Sequence, residues 1–427
     1  MLKSVLLYTS QITPRLHYVC QWVFQEVAGL PFEITNSETV FSEATETFRI
    51  NYSNETIDAA HVHWVPAGLL FETDIREIVP VTFEYKNKPC MFSVKGGHSA
   101  FDILSAVFYC ISRYEEYTYP QRDLFQRYPH TASWAYRQGV LNRPLVDEWL
   151  MDLFQEWQVQ FPALAFQILP FEYIPTYDID IAFSYQGKPW YKQLAAWGRG
   201  EFSLWWQWKM GKIKDPYDAY DELDQWHKQY QLQPIYFLLL SGGGVYNKNL
   251  PVQGKSMQTL LTHLKQRYTV GLHPSYTDGD TMKVWANEKQ VLGEVQHTRQ
   301  HYIRFNLPAT YREIETLGFE HEYSMGYGSI NGFRASTSRS FLWYDLEQER
   351  VSTMRVHPFC FMECNARFEQ GLSADEAAVE LIDYENKVRA VSGKLITIWH
   401  NFALGTDPNW AGWKEVYKAS LNRLFNS

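Results

Sequence analysis

The chain lacks a surplus of positive charge. Its 39 lysines and arginines face 48 aspartates and glutamates in 427 residues, a formal net charge of −9. Nucleic-acid binding needs a clustered basic face, so no nucleic-acid partner is expected. Long apolar runs are also missing. No stretch approaches the roughly 20 residues of a membrane-spanning helix. The apolar start from Met1 to Leu7 is too short for a signal peptide and has no small-residue cleavage site, so a cytoplasmic location is expected. Cysteine is scarce: there are five, at positions 20, 90, 110, 360 and 364. An odd, scattered set excludes a disulfide framework, and Cys360 and Cys364 read as buried thiols. Phosphate-loop signatures are absent too, so the glycines 242–244 after an apolar run read as a strand-to-helix loop.

Aromatic residues are abundant, with 16 Trp, 28 Tyr and 26 Phe. They suit sugar-binding clefts as well as ordinary cores. The length accommodates two domains. Residues 1–165 read as a smaller α/β domain, with a strand over Ser4–Tyr8, a helix after Pro14 closed by Gly29, and strands at Phe48–Tyr52 and Ala60–Val65. His61 and His63 share a strand face without a third ligand nearby. Phe101, Leu104, Phe108 and Ile111 recur at helical spacing, and the polar, aromatic Ser112-Arg-Tyr-Glu-Glu-Tyr follows. A connecting helix is expected over Asp147–Phe161.

Residues 166–427 repeat strand and helix, with polar residues at successive strand ends. An apolar segment, Phe166–Ile174, runs into Thr176-Tyr-Asp-Ile-Asp. Strand side chains alternate faces, so Asp178 and Asp180 point the same way and repel unless a cation or shared proton lies between them. The expected strand Leu232–Leu240 precedes the triple glycine. The next ends in Gly271-Leu-His-Pro-Ser and carries His273, Thr298–Phe305 reads as another, and Gly393–Asn401 delivers His400. Strand C-terminal ends converge on one mouth in a parallel α/β barrel, or at a switch point in an open sheet.

These segments resemble the polysaccharide deacetylases, carbohydrate esterases whose NodB-homology domain is a distorted (β/α) barrel. The resemblance covers about residues 166–427. It implies an α/β fold with that barrel behind the smaller domain. It further implies a metal-dependent hydrolase that removes acetyl groups from an N- or O-acetylated saccharide or glycan precursor. Thr176-Tyr-Asp-Ile-Asp is similar to the first motif, which makes Asp178 the catalytic base and Asp180 a metal ligand. Gly271-Leu-His-Pro-Ser is similar to the second and makes His273 a ligand. Gly332-Phe-Arg-Ala-Ser resembles the arginine motif, giving Arg334 the role of steadying the base. Trp399-His-Asn resembles the last, whose histidine, here His400, protonates the leaving group. The usual second motif is His-x-x-x-His, but Thr277 stands where its second histidine belongs. His301 is taken as the third ligand, ahead of His297 and His357. One divalent ion is implied, zinc first, with cobalt or nickel also suited to Asp and His ligands. Tyr302, Tyr327 and Trp399 are the expected substrate-binding aromatics, with Trp343 and Trp410 as further stacking surfaces. The competing readings are a saccharide-binding protein that has lost the metal and an inverting glycosidase built on the two aspartates. The N-terminal segments Ser112-Arg-Tyr-Glu-Glu-Tyr and Leu141-Asn-Arg-Pro-Leu-Val-Asp resemble an uncharacterised region found on a bacterial subgroup of these proteins.

Overall fold

The computed structural model describes residues 2, 4–189, 193, 202–277 and 279–426. Four short strands, β1 (Val5–Tyr8), β2 (Phe32–Thr35), β3 (Phe48–Tyr52) and β4 (Val62–Trp64), form a parallel sheet in the order β2-β1-β3-β4. The expected helix after Pro14 is present over Pro14–Cys20 and continues as a wider turn through Val27. A hairpin of β5 (Phe83–Tyr85) and β6 (Lys88–Cys90) follows. His61 and His63 are held structurally: His61 Nδ1 accepts from the Arg49 amide at 2.9 Å, and His63 Nε2 lies 2.9 Å from the Ser53 carbonyl.

The helix Ile103–Ile111 is buried along every residue, so it is a central helix rather than one with a single buried stripe. Asp102 caps it by accepting from the Ser105 amide, and also accepts from Tyr52 Oη at 2.7 Å. The chain then turns through Arg113, which has a left-handed φ of 55°, into the short helix Tyr114–Thr118. That turn aims Glu116 at the C-terminal part.

The second sheet has nine strands: β7 (Glu172–Ile179), β8 (Ile235–Leu238), β9 (Thr269–Leu272), β10 (His297–Thr298), β11 (His321–Glu322), β12 (Phe341–Asp345), β13 (Arg350–Val356), β14 (Phe361–Met362) and β15 (Lys394–His400). Their order is β12-β13-β11-β10-β9-β8-β7-β15-β14, parallel except for the β12–β13 pair. Hydrogen bonding ends at β14 on one side and β12 on the other, so the ladder of the described residues is α/β and parallel but not closed into a ring. Two expectations need correction. The strand before the aspartates starts at Glu172 rather than Phe166, and only Thr298 of the expected strand Thr298–Phe305 is in β10. Residues His301–Ile303 form a tight turn instead, with left-handed φ values of 58° at Tyr302 and 54° at Ile303.

Buried hydrophobics from both parts of the chain make one continuous cluster. Buried polar pairs cross between the parts. Arg15 donates to Glu349 at 2.6 Å, Arg334 Nε donates to Glu116 at 2.8 Å, and Asp147 accepts from the Ser338 amide at 2.8 Å. Among the described residues, no helix is long and apolar enough to cross a membrane.

Candidate active site

Register places the chemistry. β7 and β15 pair in parallel with Asp178 opposite His400. Next to β7 runs β8, and beside it β9, whose last residue Leu272 is followed directly by His273. The His273 amide donates to the Leu238 carbonyl at 3.0 Å, and the Arg299 amide to that of Leu272 at 3.1 Å. The C-terminal ends of β7, β9, β10 and β15 thus deliver Asp178, His273, Arg299 and His400 to one place. Asp180 follows β7 by one residue, and Glu363 directly follows β14.

A cavity of about 460 Å³ opens over these ends, lined among others by Asp178, Asp180, His273, His301, Tyr302 and His400. At its floor, His273 Nε2 lies 3.2 Å from Asp180 Oδ1, and His301 Nε2 lies 3.4 Å from Asp180 Oδ2. The donor atoms of Asp180, His273 and His301 all fall within 4.8 Å of one another. His273 Nδ1 is 2.6 Å from the Arg299 carbonyl, which can only accept. That contact fixes the proton on Nδ1 and turns the Nε2 lone pair toward Asp180. Among the described residues, Asp180 Oδ1 and His301 Nδ1 are buried without a hydrogen-bond partner. A carboxylate facing two ring nitrogens, with a buried oxygen unsatisfied, fits a divalent cation at that point.

The electrostatics agree. Burial opposes charge on Asp180, but His301 and His273 hold its carboxyl well below the usual range. Burial pushes His301 down more than Asp180 lifts it, which favours the neutral imidazole that binds metals. Burial pushes the His273 pKa down, but Asp178 and Asp180 raise it overall.

Two positioned groups flank the cluster. Asp178 is 2 % exposed and accepts from Arg299 Nη1 at 2.8 Å. Arg299 is fully buried, donates Nε to the Tyr323 carbonyl at 3.0 Å and lies 4.3 Å over the Phe237 ring. On the other side, His400 Nδ1 is 2.7 Å from Glu363 Oε1, and its Nε2 points toward Asp180 Oδ2 at 3.5 Å. Burial lowers the His400 pKa, yet Cys364, Glu363 and Asp180 raise it well above the usual histidine value. Cys364 Sγ lies 3.5 Å from His400 Nδ1, and burial pushes its thiol up to about 12. Glu363, Cys364 and His400 could also surround a metal, but the Nδ1–Oε1 hydrogen bond already uses the facing atoms and the thiol keeps its proton.

The structure brings together Asp178, Asp180, His273, His301, His400 and Tyr302. It keeps Arg334, Tyr327 and Trp399 out of the cavity lining. Arg334 is bound to Glu116, and Tyr327 packs beneath it, its ring 5.1 Å from the guanidinium. Trp399 neighbours His400 on a strand, so it faces the opposite way and packs on Phe361 and Tyr417. Trp343 is buried, whereas Trp410 borders the cavity with Phe368 and Phe402. His297 and His357 stack on Tyr323, away from Asp180. Thr277 offers its carbonyl to Arg304 at 2.9 Å. Sequence reasoning missed Arg299 and Glu363. For Glu363 the signal was a charged residue directly after the apolar pair Phe361-Met362, where burial demands a partner, whereas His297 and Thr298 before Arg299 give no such signal.

Fold and site define an α/β protein whose parallel strand ends hold a carboxylate–histidine cluster. Residues 5–162 match the model of a family of unknown function (DUF7033). No curated protein matches the chain significantly. Among solved structures, a candidate polysaccharide deacetylase from Mycobacterium smegmatis is similar at 12% identity and a TM-score of 0.38, covering 59% of this chain and 84% of its own. A candidate polysaccharide deacetylase involved in O-antigen biosynthesis, from Bordetella bronchiseptica, is similar at 9% identity and a TM-score of 0.33, over 59% of this chain and 90% of its own. The 4-alpha-glucanotransferase from Thermococcus litoralis is similar at 10% identity and a TM-score of 0.34, over 60% of this chain and 37% of its own.

Proposed function

We propose that this protein is a metal-dependent hydrolase of the polysaccharide deacetylase kind, removing acetyl groups from an N- or O-acetylated saccharide or glycan precursor. The observation that carries the reading is the convergence of Asp180, His273 and His301 donor atoms within 4.8 Å, flanked by Asp178 and His400. Those three residues would hold one divalent ion, zinc first, with cobalt or nickel as alternatives. When bound, such an ion supplies Lewis acidity toward an acyl oxygen and acidity to a water.

The remaining chemistry belongs to the chain. Asp178, held by Arg299, accepts the proton of the attacking water. His400, raised well above its usual pKa and oriented by Glu363, carries a proton to the departing nitrogen or oxygen. The aromatic wall of Tyr302, Phe402 and Trp410 offers stacking faces to a sugar ring. An inverting glycosidase needs its two acids on opposite sides of the bond. Here Asp178 and Asp180 lie on the same side, 3.9 and 3.2 Å from His273 Nε2.

The test is the metal content of the purified protein beside His273→Ala and Asp180→Ala, followed by acetate release from acetylated saccharides. Near one equivalent in wild type, lost in both variants, supports the reading, as does acetate released from an intact glycan. No metal after incubation with zinc or cobalt overturns it and leaves a saccharide-binding protein on the same sheet.

A further inference from the structure

We infer that the N-terminal part of the chain completes the metal centre. Its loop Arg122–Tyr128 clamps the turn that carries His301 and so holds the third ligand in place. This rests on the reading of Asp180, His273 and His301 as metal ligands.

The argument begins with an asymmetry between the two histidines. The His273 ring is anchored through its far nitrogen, Nδ1, by the Arg299 carbonyl. The His301 ring finds no hydrogen-bond partner at Nδ1 among the described residues, although it is buried. A metal-binding histidine is ordinarily oriented through that second nitrogen. For His301 the orientation comes instead from ring packing on His273 and Tyr302 and from its backbone, which also places Tyr302. That backbone is an unusual one, because Tyr302 and Ile303 are consecutive left-handed residues with φ of 58° and 54°, and the second is β-branched. L-residues rarely adopt this conformation, and it persists only where surrounding contacts over-determine it.

Tyr246 and Tyr276 pack on the Tyr302 ring from within the C-terminal part, and the remaining contacts come from the N-terminal part. Arg127 Nη1 donates to the Tyr302 carbonyl at 2.9 Å. Phe125 stacks on the Tyr302 ring at 5.1 Å with 11° between planes. Arg122 Nε donates to Asn306 Oδ1 at 2.6 Å, and Asn306 Nδ2 donates to the Gln126 carbonyl at 3.0 Å. The loop is itself preorganised. Asp123 accepts from the amides of Phe125 and Arg127 at 2.9 Å each and from Arg127 Nε at 2.7 Å. Gly328 makes room for the clamp, since a Cβ there would stand 2.1 Å from Arg127 Nη1. Arg127 borders the cavity together with His301. Thr277 stands where a local second histidine is absent, and these contacts supply a ligand from another strand end, braced from outside the sheet.

Arg127 is therefore a positioning residue. The experiment uses the full chain and a zinc titration against a competing chromogenic chelator, with cobalt absorption spectra in parallel. Arg127→Met, Phe125→Ala, Arg127→Lys, His301→Ala and the double variant Arg127→Met/His301→Ala are compared with wild type. Weakening of zinc by roughly 10–100-fold is expected in Arg127→Met and Phe125→Ala. An altered cobalt spectrum and partial recovery in Arg127→Lys are expected with it. The double variant should bind no more weakly than His301→Ala alone, since both changes remove the same ligand. Unchanged zinc affinity in folded Arg127→Met and Phe125→Ala, or additive losses in the double variant, overturns the clamp while leaving the metal site standing. If Arg127→Met does not fold, Phe125→Ala and Arg127→Lys carry the comparison. A wild type that binds no zinc brings down the metal reading and the clamp together.

Discussion

Glu116 is the most exacting test of how the two parts of the chain are joined. Its carboxylate is 2 % exposed and sits between Arg113 Nε at 2.7 Å and Arg334 Nε at 2.8 Å, with Arg334 Nη2 also donating to it. Burial alone would raise its pKa, but Arg334 and Arg113 outweigh burial and hold it at about 2. Against an unfolded value of about 4.5, a depression of about 2.5 units corresponds to roughly 3 kcal/mol. A depressed folded pKa contributes stability that is present above pH 4.5 or so and is lost as pH falls toward 2. The substitution Glu116→Gln removes the charge and leaves two buried guanidinium groups facing each other. The cost of breaking such a pair is about 3–5 kcal/mol, in line with the linkage value. Urea denaturation at pH 7 and at several acid pH values measures it. The expected result is a large loss of stability at pH 7 and a shallower acid dependence in the variant than in wild type. A loss under about 1 kcal/mol would refute the reasoning, because it would mean that water reaches both arginines and that the junction is looser than its burial indicates.

Two further outcomes follow from the site. Replacing Glu363 by Gln removes the charge that orients and raises His400, so acetate release should fall about 10²-fold with metal content unchanged; full activity would remove Glu363 from the proposal. Gly271→Ala would place a Cβ 2.7 Å from the Phe237 ring and 2.8 Å from the His297 carbonyl. Overpacking of that kind costs about 1–3 kcal/mol in a urea titration, and because Arg299 lies against Phe237 it should also depress turnover.

What could be read from the sequence follows the length of each strand. β7 and β15 span eight and seven residues, enough for an apolar pattern and a polar end, with Asp178 and His400 on them and Asp180 directly after β7. β10, β11 and β14 contain two residues each and carry no period at all. Residues near them were accordingly misplaced or missed. Arg299 directly follows β10 and Glu363 directly follows β14, and two residues are too few to mark a strand end. Trp399 failed for a different reason. Its motif pointed to substrate, but alternation along β15 turns it away from the face that carries His400. Arg334 could not have been placed from its local motif, because its partner Glu116 lies 218 residues earlier.

The two buried arginines show how the same residue type serves two ends. Each needs a carboxylate, since a buried guanidinium without one is prohibitively costly. Arg334 finds Glu116, and the pair fastens the N-terminal part to the loop after β11. Arg299 finds Asp178, and the pair fixes a group at the mouth of the sheet. Exchanging these roles would require Arg334 to leave Glu116, stripping that buried carboxylate of one of its two guanidinium partners. The ion pair between the two parts of the chain therefore commits Arg334 to structure and leaves the positioning of Asp178 to Arg299. The N-terminal part thus holds two segments of the C-terminal part. Glu116 secures the loop carrying Arg334, and Arg127 with Phe125 secures the turn carrying His301. A variant lacking the first contact should unfold more readily, whereas one lacking the second should stay folded and show weaker zinc affinity in the chelator titration.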